Sequence, residues 1–192
     1  MFVNLYLRRC FKLAMVLTLL GFGHVCVAEE TSQLNVAEFN EQGQLLKPAT
    51  LDEWIHLGSN VGHGYDEGTF DPKTPGTFHI VEIEPSAYAY VKQHGQYADG
   101  TMLALSFYKV QEKTNLRLNG LSQGELVSFE IHLIDSKKYE DGRAFFNFGL
   151  NDQANAAPSP NRCVECHREE GAFASTFTQF YPKMQKILNI SR

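Results

Sequence analysis

The chain has 192 residues, 43% of them hydrophobic and 20% charged, which suits a globular protein with one core. Its 17 Lys and Arg and 22 Asp and Glu give a net charge of −5. No basic patch stands out, so the composition argues against nucleic acid as a partner.

Residues 1–28 have the pattern of a secretory signal peptide. Three basic residues precede an apolar run, residues 13–22, that is too short to span a bilayer comfortably. Small residues at Cys26-Val27-Ala28 suit cleavage before Glu29. We therefore expect export to the periplasm, with a single domain over residues 29–192 and a net charge of −8, since the three basic residues leave with the peptide. A retained membrane anchor is the alternative interpretation.

The first part of the mature chain is predicted to be a surface lead-in, a short helix and a long loop. Residues 29–48 are polar and punctuated by Gly. Thr50, three residues before Glu53, forms a capping-box pattern, which predicts a short helix that ends near Gly58. Residues 58–77 are rich in Gly, Pro and polar side chains, a composition typical of a loop.

Strand patterns dominate the middle of the chain. Between the first two strands, Pro85 begins a predicted helix that Gly95 ends. Strands that follow one another along the chain favour antiparallel pairing, so we expect an α+β fold with a mostly antiparallel β-sheet and flanking helices. The predicted strands are residues 78–84, 101–110, 126–134 and 143–150, with a short additional one at residues 115–118.

The end of the chain carries Cys163-Val164-Glu165-Cys166-His167, the attachment pattern of a c-type haem. Cys163 and Cys166 lie about one helical turn apart, so each thiol can form a thioether to a porphyrin vinyl group, and His167 can offer an imidazole nitrogen to the iron. Zinc sites and redox disulfides also use Cys-x-x-Cys. The other two cysteines lie in the signal peptide, however, and a zinc site would need a further ligand. The sequence therefore predicts one covalent haem c near the C-terminus.

Apolar and aromatic residues recur at helical spacing between residues 173 and 188. Pro182 interrupts them, which predicts a kink or two short helices joined at Tyr181-Pro182. We interpret this stripe as core packing.

Seven short segments, taken in chain order, carry a family resemblance. They are Trp54 with Leu57-Gly58-Ser59, Phe78-His79-Ile80-Val81, Glu84-Pro85-Ser86-Ala87-Tyr88, Asp99-Gly100-Thr101, Ala144-Phe145-Phe146-Asn147-Phe148, the haem motif, and Phe180-Tyr181-Pro182. In this order they resemble the cytochrome P-460 family, which includes the cytochromes c′-beta. The resemblance covers roughly residues 36–185 and is more specific than the haem motif alone.

This resemblance implies a mostly antiparallel sheet with flanking helices, usually in a homodimer, that holds one five-coordinate haem. Family members oxidise hydroxylamine or, in the c′-beta group, bind nitric oxide or carbon monoxide. The enzymes carry a Lys bonded to the porphyrin edge, at the position that corresponds to Leu105. Leucine has no nucleophile, and Lys109 lies about 13 Å further along the strand. The departure at Leu105 therefore argues against a cross-linked haem and against hydroxylamine oxidation.

The open side of the iron is expected to be lined by strand residues. His79 stands where the family often has a basic residue, and it could donate a hydrogen bond or a proton to a bound ligand. The alternative for His79 is a strand histidine exposed to water. An apolar pocket would exclude water and favour uncharged diatomic ligands. The candidate pocket residues are Phe78, Leu105, Phe107, Phe146 and Phe148.

Three functions remain open at this point. The first is a haem protein with an open iron site that binds a small gaseous or nitrogenous ligand such as nitric oxide, and Leu105 favours it. The second is an oxidoreductase acting on hydroxylamine or nitric oxide. The third is an electron-transfer cytochrome with a soluble redox partner, which needs a strong sixth ligand such as Met102.

Overall fold

The computed structural model describes residue 34 and residues 36–63, 70–112, 120–158 and 161–190. The predicted signal peptide and the predicted strand at residues 115–118 lie outside the described residues. Within the described ranges, the helices are α1 (Pro85–His94), α2 (Arg162–Glu170) and α3 (Pro182–Leu188). The strands in the same ranges are β1 (Leu45–Leu46), β2 (Ile55–Val61), β3 (Thr77–Ile83), β4 (Thr101–Glu112), β5 (Leu121–Ile134), β6 (Arg143–Gly149) and β7 (Gln153–Ala154).

Five of these strands form one antiparallel sheet in the order β2-β3-β4-β5-β6. Each strand pairs with the next one along the chain, and α1 connects β3 to β4. β1 and β7 form a second, two-stranded antiparallel sheet. The predicted α+β fold, with a mostly antiparallel sheet and flanking helices, is confirmed. The four longer predicted strands are present with shifted ends.

The large sheet has two distinct faces because successive side chains of a strand point in opposite directions. We call the helical face the one that carries Ile83, Leu103 and His132, which are partners across β3, β4 and β5. The helices α1 and α3 pack on this face. Its buried cluster comprises Leu57, Val81, Ile83, Ala87, Val91, Leu103, Tyr181 and Met184.

The opposite face packs against the segment that precedes β2, and we call it the lead-in face. Leu45 is fully buried there, and the ring of Phe39 contacts that of Phe146 at 6.2 Å. The prediction that residues 29–48 form a surface lead-in is therefore wrong where Leu45 packs into the core. The buried cluster on this face comprises Leu45, Trp54, Met102, Ala104, Phe129, Ile131, Leu133, Ala144, Phe146, Phe148 and Ala154.

The predicted helix after Thr50 is wrong. Only a 3₁₀ turn, Leu51–Glu53, forms there, and the Thr50 side chain makes no capping hydrogen bond. The chain then enters β2, whose residues 55–61 pair with β3. Cross-strand pairing and burial of Leu57 outweigh the local capping signal, because tertiary contacts override weak helix propensity.

Two other helix predictions are confirmed. Pro85 begins α1, the Glu84 side chain accepts the backbone N–H of Ala87 at 2.8 Å, and Gly95 ends the helix with a left-handed φ of 68°. A 3₁₀ turn at Thr178–Phe180 precedes α3, so two short helices meet at Tyr181-Pro182. None of the helices in the described ranges is both long and apolar enough to cross a bilayer.

Candidate haem site

The helix α2 carries both cysteines of the haem motif. The Asn161 side chain begins this helix by accepting the backbone N–H of Val164 at 3.0 Å. Val164 is buried and anchors the helix, while Cys163 is exposed and Cys166 is half-buried, both as free thiols. Since α2 packs against β6, the two thiols and His167 lie at the β6 side of the sheet.

The surroundings of Cys163 favour a neutral thiol. Although the residue as a whole is exposed, neighbouring atoms partly desolvate its thiol, and this desolvation, followed by the negative charge of Glu130, raises the pKa of Cys163. Cysteines in redox and zinc sites act as thiolates, and their surroundings lower the thiol pKa instead.

The ring of His167 is held by a backbone carbonyl. Its Nδ1 lies 2.9 Å from the carbonyl oxygen of Ser175. Because a carbonyl oxygen can only accept a hydrogen bond, Nδ1 carries the proton and the lone pair lies on Nε2. Burial lowers the pKa of His167, the Ser175 contact opposes this effect, and Arg143 adds to it. A neutral imidazole held in this way is suited to bind a metal through Nε2.

Three aromatic rings enclose the His167 imidazole. The ring centroids of His132, Phe145 and Phe177 lie 5.0, 4.6 and 4.5 Å from its centroid. His132 and Phe145 are cross-strand partners on β5 and β6, and their rings stack at 4.4 Å. Burial, with added repulsion from His167 and Arg143, holds the pKa of His132 well below its usual value. His132 is thus a neutral packing surface, and the three rings limit how the imidazole can turn.

The loop that follows α2 approaches His167 closely, and Gly171 permits this approach. A Cβ at residue 171 would lie 2.5 Å from the carbonyl oxygen of His167 and 2.7 Å from the carbonyl carbon of Ser175. Further along the loop, Thr176 Oγ1 donates to the carbonyl of Phe173 at 2.7 Å and lies 3.2 Å from the Tyr97 hydroxyl. These contacts fix the loop that presents Ser175 to the imidazole.

Leu105, Phe107 and His79 lie on the same helical face as His167. Leu105 is one pleat, about 7 Å, along β4 from Leu103, the partner of His132. Phe107 is one pleat further, and its cross-strand partner His79 meets it edge-on at 4.7 Å.

His79 is only 5% exposed, so the alternative of a water-exposed strand histidine is wrong. Its Nε2 lies 2.7 Å from Thr77 Oγ1. Burial, and then the charge of His63, lower its pKa. The neutral ring is therefore the favoured form.

Phe78, Phe146 and Phe148 point away from the helical face, so the structure does not bring them together with the haem motif. Phe146 and Phe148 belong to the core of the lead-in face, and Phe78 is the partner of Tyr108 there. The reason is the period of two in a strand: Phe145 faces His167, and its neighbour Phe146 must face the other way. The five predicted pocket residues are therefore divided between the two faces.

A family model described as Cytochrome P460 matches residues 48–178, more than half of the chain and including the whole haem motif. The chain belongs to the cytochrome P460 family. It is therefore a c-type haem protein. No curated protein matches the chain.

The residues of this cytochrome fit a c-type haem. Bound haem supplies an iron that can exchange electrons and bind small ligands. Cys163 and Cys166 are free thiols one helical turn apart, and His167 has its Nε2 lone pair available while Nδ1 is bonded. These three residues could hold the vinyl groups and the iron.

Glu130 and Phe145 lie at the site but were not predicted from the sequence of this cytochrome. Glu130 is the cross-strand partner of Leu105 and accepts a hydrogen bond from Asn147 Nδ2 at 2.9 Å. Burial raises the pKa of Glu130. Glu130 lies between two buried apolar residues of β5, and a carboxyl in such a position could have indicated a functional residue from the sequence. Strand alternation places Phe145 and Phe146 on opposite faces of the sheet. The alternation does not show which of these faces α2 covers, so the sequence could not assign Phe145 to the site.

Proposed function

We propose that this cytochrome carries one haem c, attached covalently through Cys163 and Cys166, with His167 as the axial ligand and the opposite iron position open to nitric oxide. The observation that carries the proposal is the 2.9 Å contact between His167 Nδ1 and the Ser175 carbonyl oxygen. This contact leaves Nε2 to bind iron, and the enclosing rings maintain its direction.

The methionines among the described residues are Met102 and Met184. The position of Met102 supports an open sixth position. Met102 lies in the core of the lead-in face, on the opposite side of the sheet from His167. Met184 is fully buried among side chains of α1 and β2. Met102 could not reach an iron bound at His167 without leaving the core of the lead-in face, which counts against it as a sixth ligand and so against the electron-transfer function.

The apolar side chains of Leu105 and Phe107 support an uncharged ligand, and the position of Lys109 supports a haem without a further cross-link. Leu105 offers only apolar surface, as does Phe107 one pleat away. Lys109, the next lysine along β4, points its Nζ at Glu125 Oε2 at 2.7 Å in an exposed ion pair. A nitric oxide molecule would enter such surroundings more readily than a charged substrate, because desolvating a charge is costly.

The test is the absorption spectrum of the purified holoprotein, oxidised and reduced, before and after nitric oxide is added. We expect a high-spin spectrum that changes with the gas, and an unchanged high-spin spectrum in the matched Met102→Leu variant. A His167→Ala variant should lose the histidine-ligated spectrum. A low-spin spectrum that nitric oxide leaves unchanged would refute the proposal and favour electron transfer.

A second candidate function is the oxidation of hydroxylamine or nitric oxide, and Glu130 favours it. This half-buried carboxyl lies beside Leu105 on the helical face, and burial raises its pKa above the ordinary value for Glu, which makes the carboxylate a stronger base for proton transfer. Turnover of hydroxylamine with an artificial electron acceptor, abolished in Glu130→Gln, would support this function. A red-shifted reduced band and a haem peptide tethered through three side chains would show a cross-link in spite of Leu105.

We also propose export to the periplasm, a homodimer and a soluble redox partner. The basic and apolar pattern of residues 1–28 supports export, and the family resemblance supports the dimer. N-terminal sequencing of the mature protein should begin near Glu29. Analytical ultracentrifugation should give twice the mass of one mature chain, and a single-chain mass would refute the dimer.

A further inference from the structure

The carbonyl that holds His167 belongs to a backbone segment in an unfavourable conformation. Ala174 and Ser175 have φ values of 45° and 53°. Residues with a Cβ rarely adopt this left-handed region, and two in succession are rarer still. Contacts from outside the segment must therefore keep it in place.

Arg143 supplies such contacts. Its Nη1 donates to the Ala174 carbonyl at 2.9 Å and to the Ser175 carbonyl at 3.4 Å. Its Nε donates to the Asp141 carbonyl at 3.3 Å, which ties the same guanidinium to the start of β6. Burial lowers the pKa of Arg143, but a guanidinium stays protonated in proteins and keeps all its donors.

The position of Arg143 on β6 connects the sheet to the imidazole by two routes. Phe145, two residues on and on the same face, packs its ring against His167 at 4.6 Å. Arg143 itself holds the segment whose Ser175 oxygen takes the Nδ1 proton of His167. The strand thus sets both the packing and the hydrogen bond of the same ring.

We propose that Arg143 is a positioning residue for the axial ligand: it holds the Ala174-Ser175 segment so that the Ser175 carbonyl accepts the Nδ1 proton of His167. This proposal rests on the proposed ligation of iron by His167. A hydrogen bond at Nδ1 raises the basicity of the imidazole and fixes its orientation. Loss of Arg143 should let the segment relax and lengthen the hydrogen bond. We expect this change to weaken electron donation from Nε2 by more than the loss of the nearby positive charge strengthens it.

The experiment is resonance Raman spectroscopy of the ferrous holoprotein, read at the iron–histidine stretching band. Arg143→Gln should move this band to lower frequency and broaden it. Arg143→Lys should recover part of the shift, because an ammonium can still donate to one of the two carbonyls. The matched control is Arg168→Gln, which removes the same charge from an exposed position one residue after His167. That variant should keep the wild-type band.

Each remaining outcome counts against the proposal. An unshifted band in Arg143→Gln overturns it while leaving the haem ligation intact. An equal shift in Arg168→Gln also overturns it, because the effect would then be one of charge. If the wild-type protein shows no iron–histidine band at all, the axial assignment and this proposal fail together. Should Arg143→Gln yield no holoprotein, Arg143→Met takes its place, because its unbranched side chain carries no donor, and a wild-type band in that variant refutes the positioning role.

Discussion

Gly171→Ala tests whether the close return of the chain after α2 maintains the candidate haem site. Gly171 has φ −75° and ψ 119°, a conformation open to any residue, so the backbone itself accepts alanine. The obstacle is space. The new Cβ would lie 2.5 Å from the His167 carbonyl oxygen, whereas carbon–oxygen contacts are normally about 3.3–3.6 Å.

The added methyl group must therefore displace backbone atoms by about 1 Å, since the nearest atoms all belong to the main chain of His167 and Ser175. Overpacking of this kind costs about 1–3 kcal/mol. For a domain of this size, each kcal/mol lowers the melting temperature by about 2–4 °C. We expect a loss of about 2–3 kcal/mol, or about 4–12 °C.

Two measurements on the holoprotein check this prediction: thermal unfolding, and the iron–histidine band. Gly95→Ala is the matched control, because its φ of 68° makes alanine strained although the space around it is open. That variant should lose about 1–2 kcal/mol and keep an unchanged band. Gly171→Ala should lose stability and also alter the band, since the Ser175 carbonyl moves. If Gly171→Ala unfolds with wild-type stability and an unchanged band, the packing argument is refuted.

Two further predictions concern pH. Burial raises the pKa of Tyr97 to about 12, so between pH of about 10 and 12 the folded chain keeps a proton that the unfolded chain loses, and up to about 2–3 kcal/mol of stability is lost. Denaturant titrations across this range should show a smaller loss in Tyr97→Phe, and parallel curves would contradict the assignment. Burial likewise raises the pKa of Glu130, so wild-type stability should fall as pH rises from about 4.5 through the raised pKa. Glu130→Gln, whose amide oxygen still accepts from Asn147, should remove this slope in urea titrations, and an identical slope would disprove it.

Local sequence patterns were sufficient to predict the haem-attachment helix residues, most of the strands and both ends of α1. Cys163 and Cys166 stand one turn apart on α2, as the motif requires. Pro85 and Gly95 bound α1 because one fixes φ at the first turn and the other accepts a left-handed φ. These features depend on neighbouring residues along the chain, and so the sequence alone sufficed to predict them.

Only the tertiary structure decided that residues 55–61 form the strand β2 and which face of the sheet lies against the haem motif. The capping pattern at Thr50 predicted a helix, but pairing with β3 and burial of Leu57 stabilise a strand instead. Alternation along β6 separates Phe145 from Phe146 in any fold. Only the packing of α2 against that strand decides that Phe145, rather than Phe146, faces the haem motif.

The hydrogen bond of His167 was likewise decided only by tertiary structure. Ser175 contributes a backbone oxygen, and no side-chain pattern in the sequence marks a backbone acceptor. Its position depends on Gly171, on the left-handed Ala174 and on Arg143 from another element. The sequence determined that a histidine follows the two cysteines, whereas contacts between distant residues determined which nitrogen of that histidine is free to bind iron, because those contacts exist only once the chain has folded.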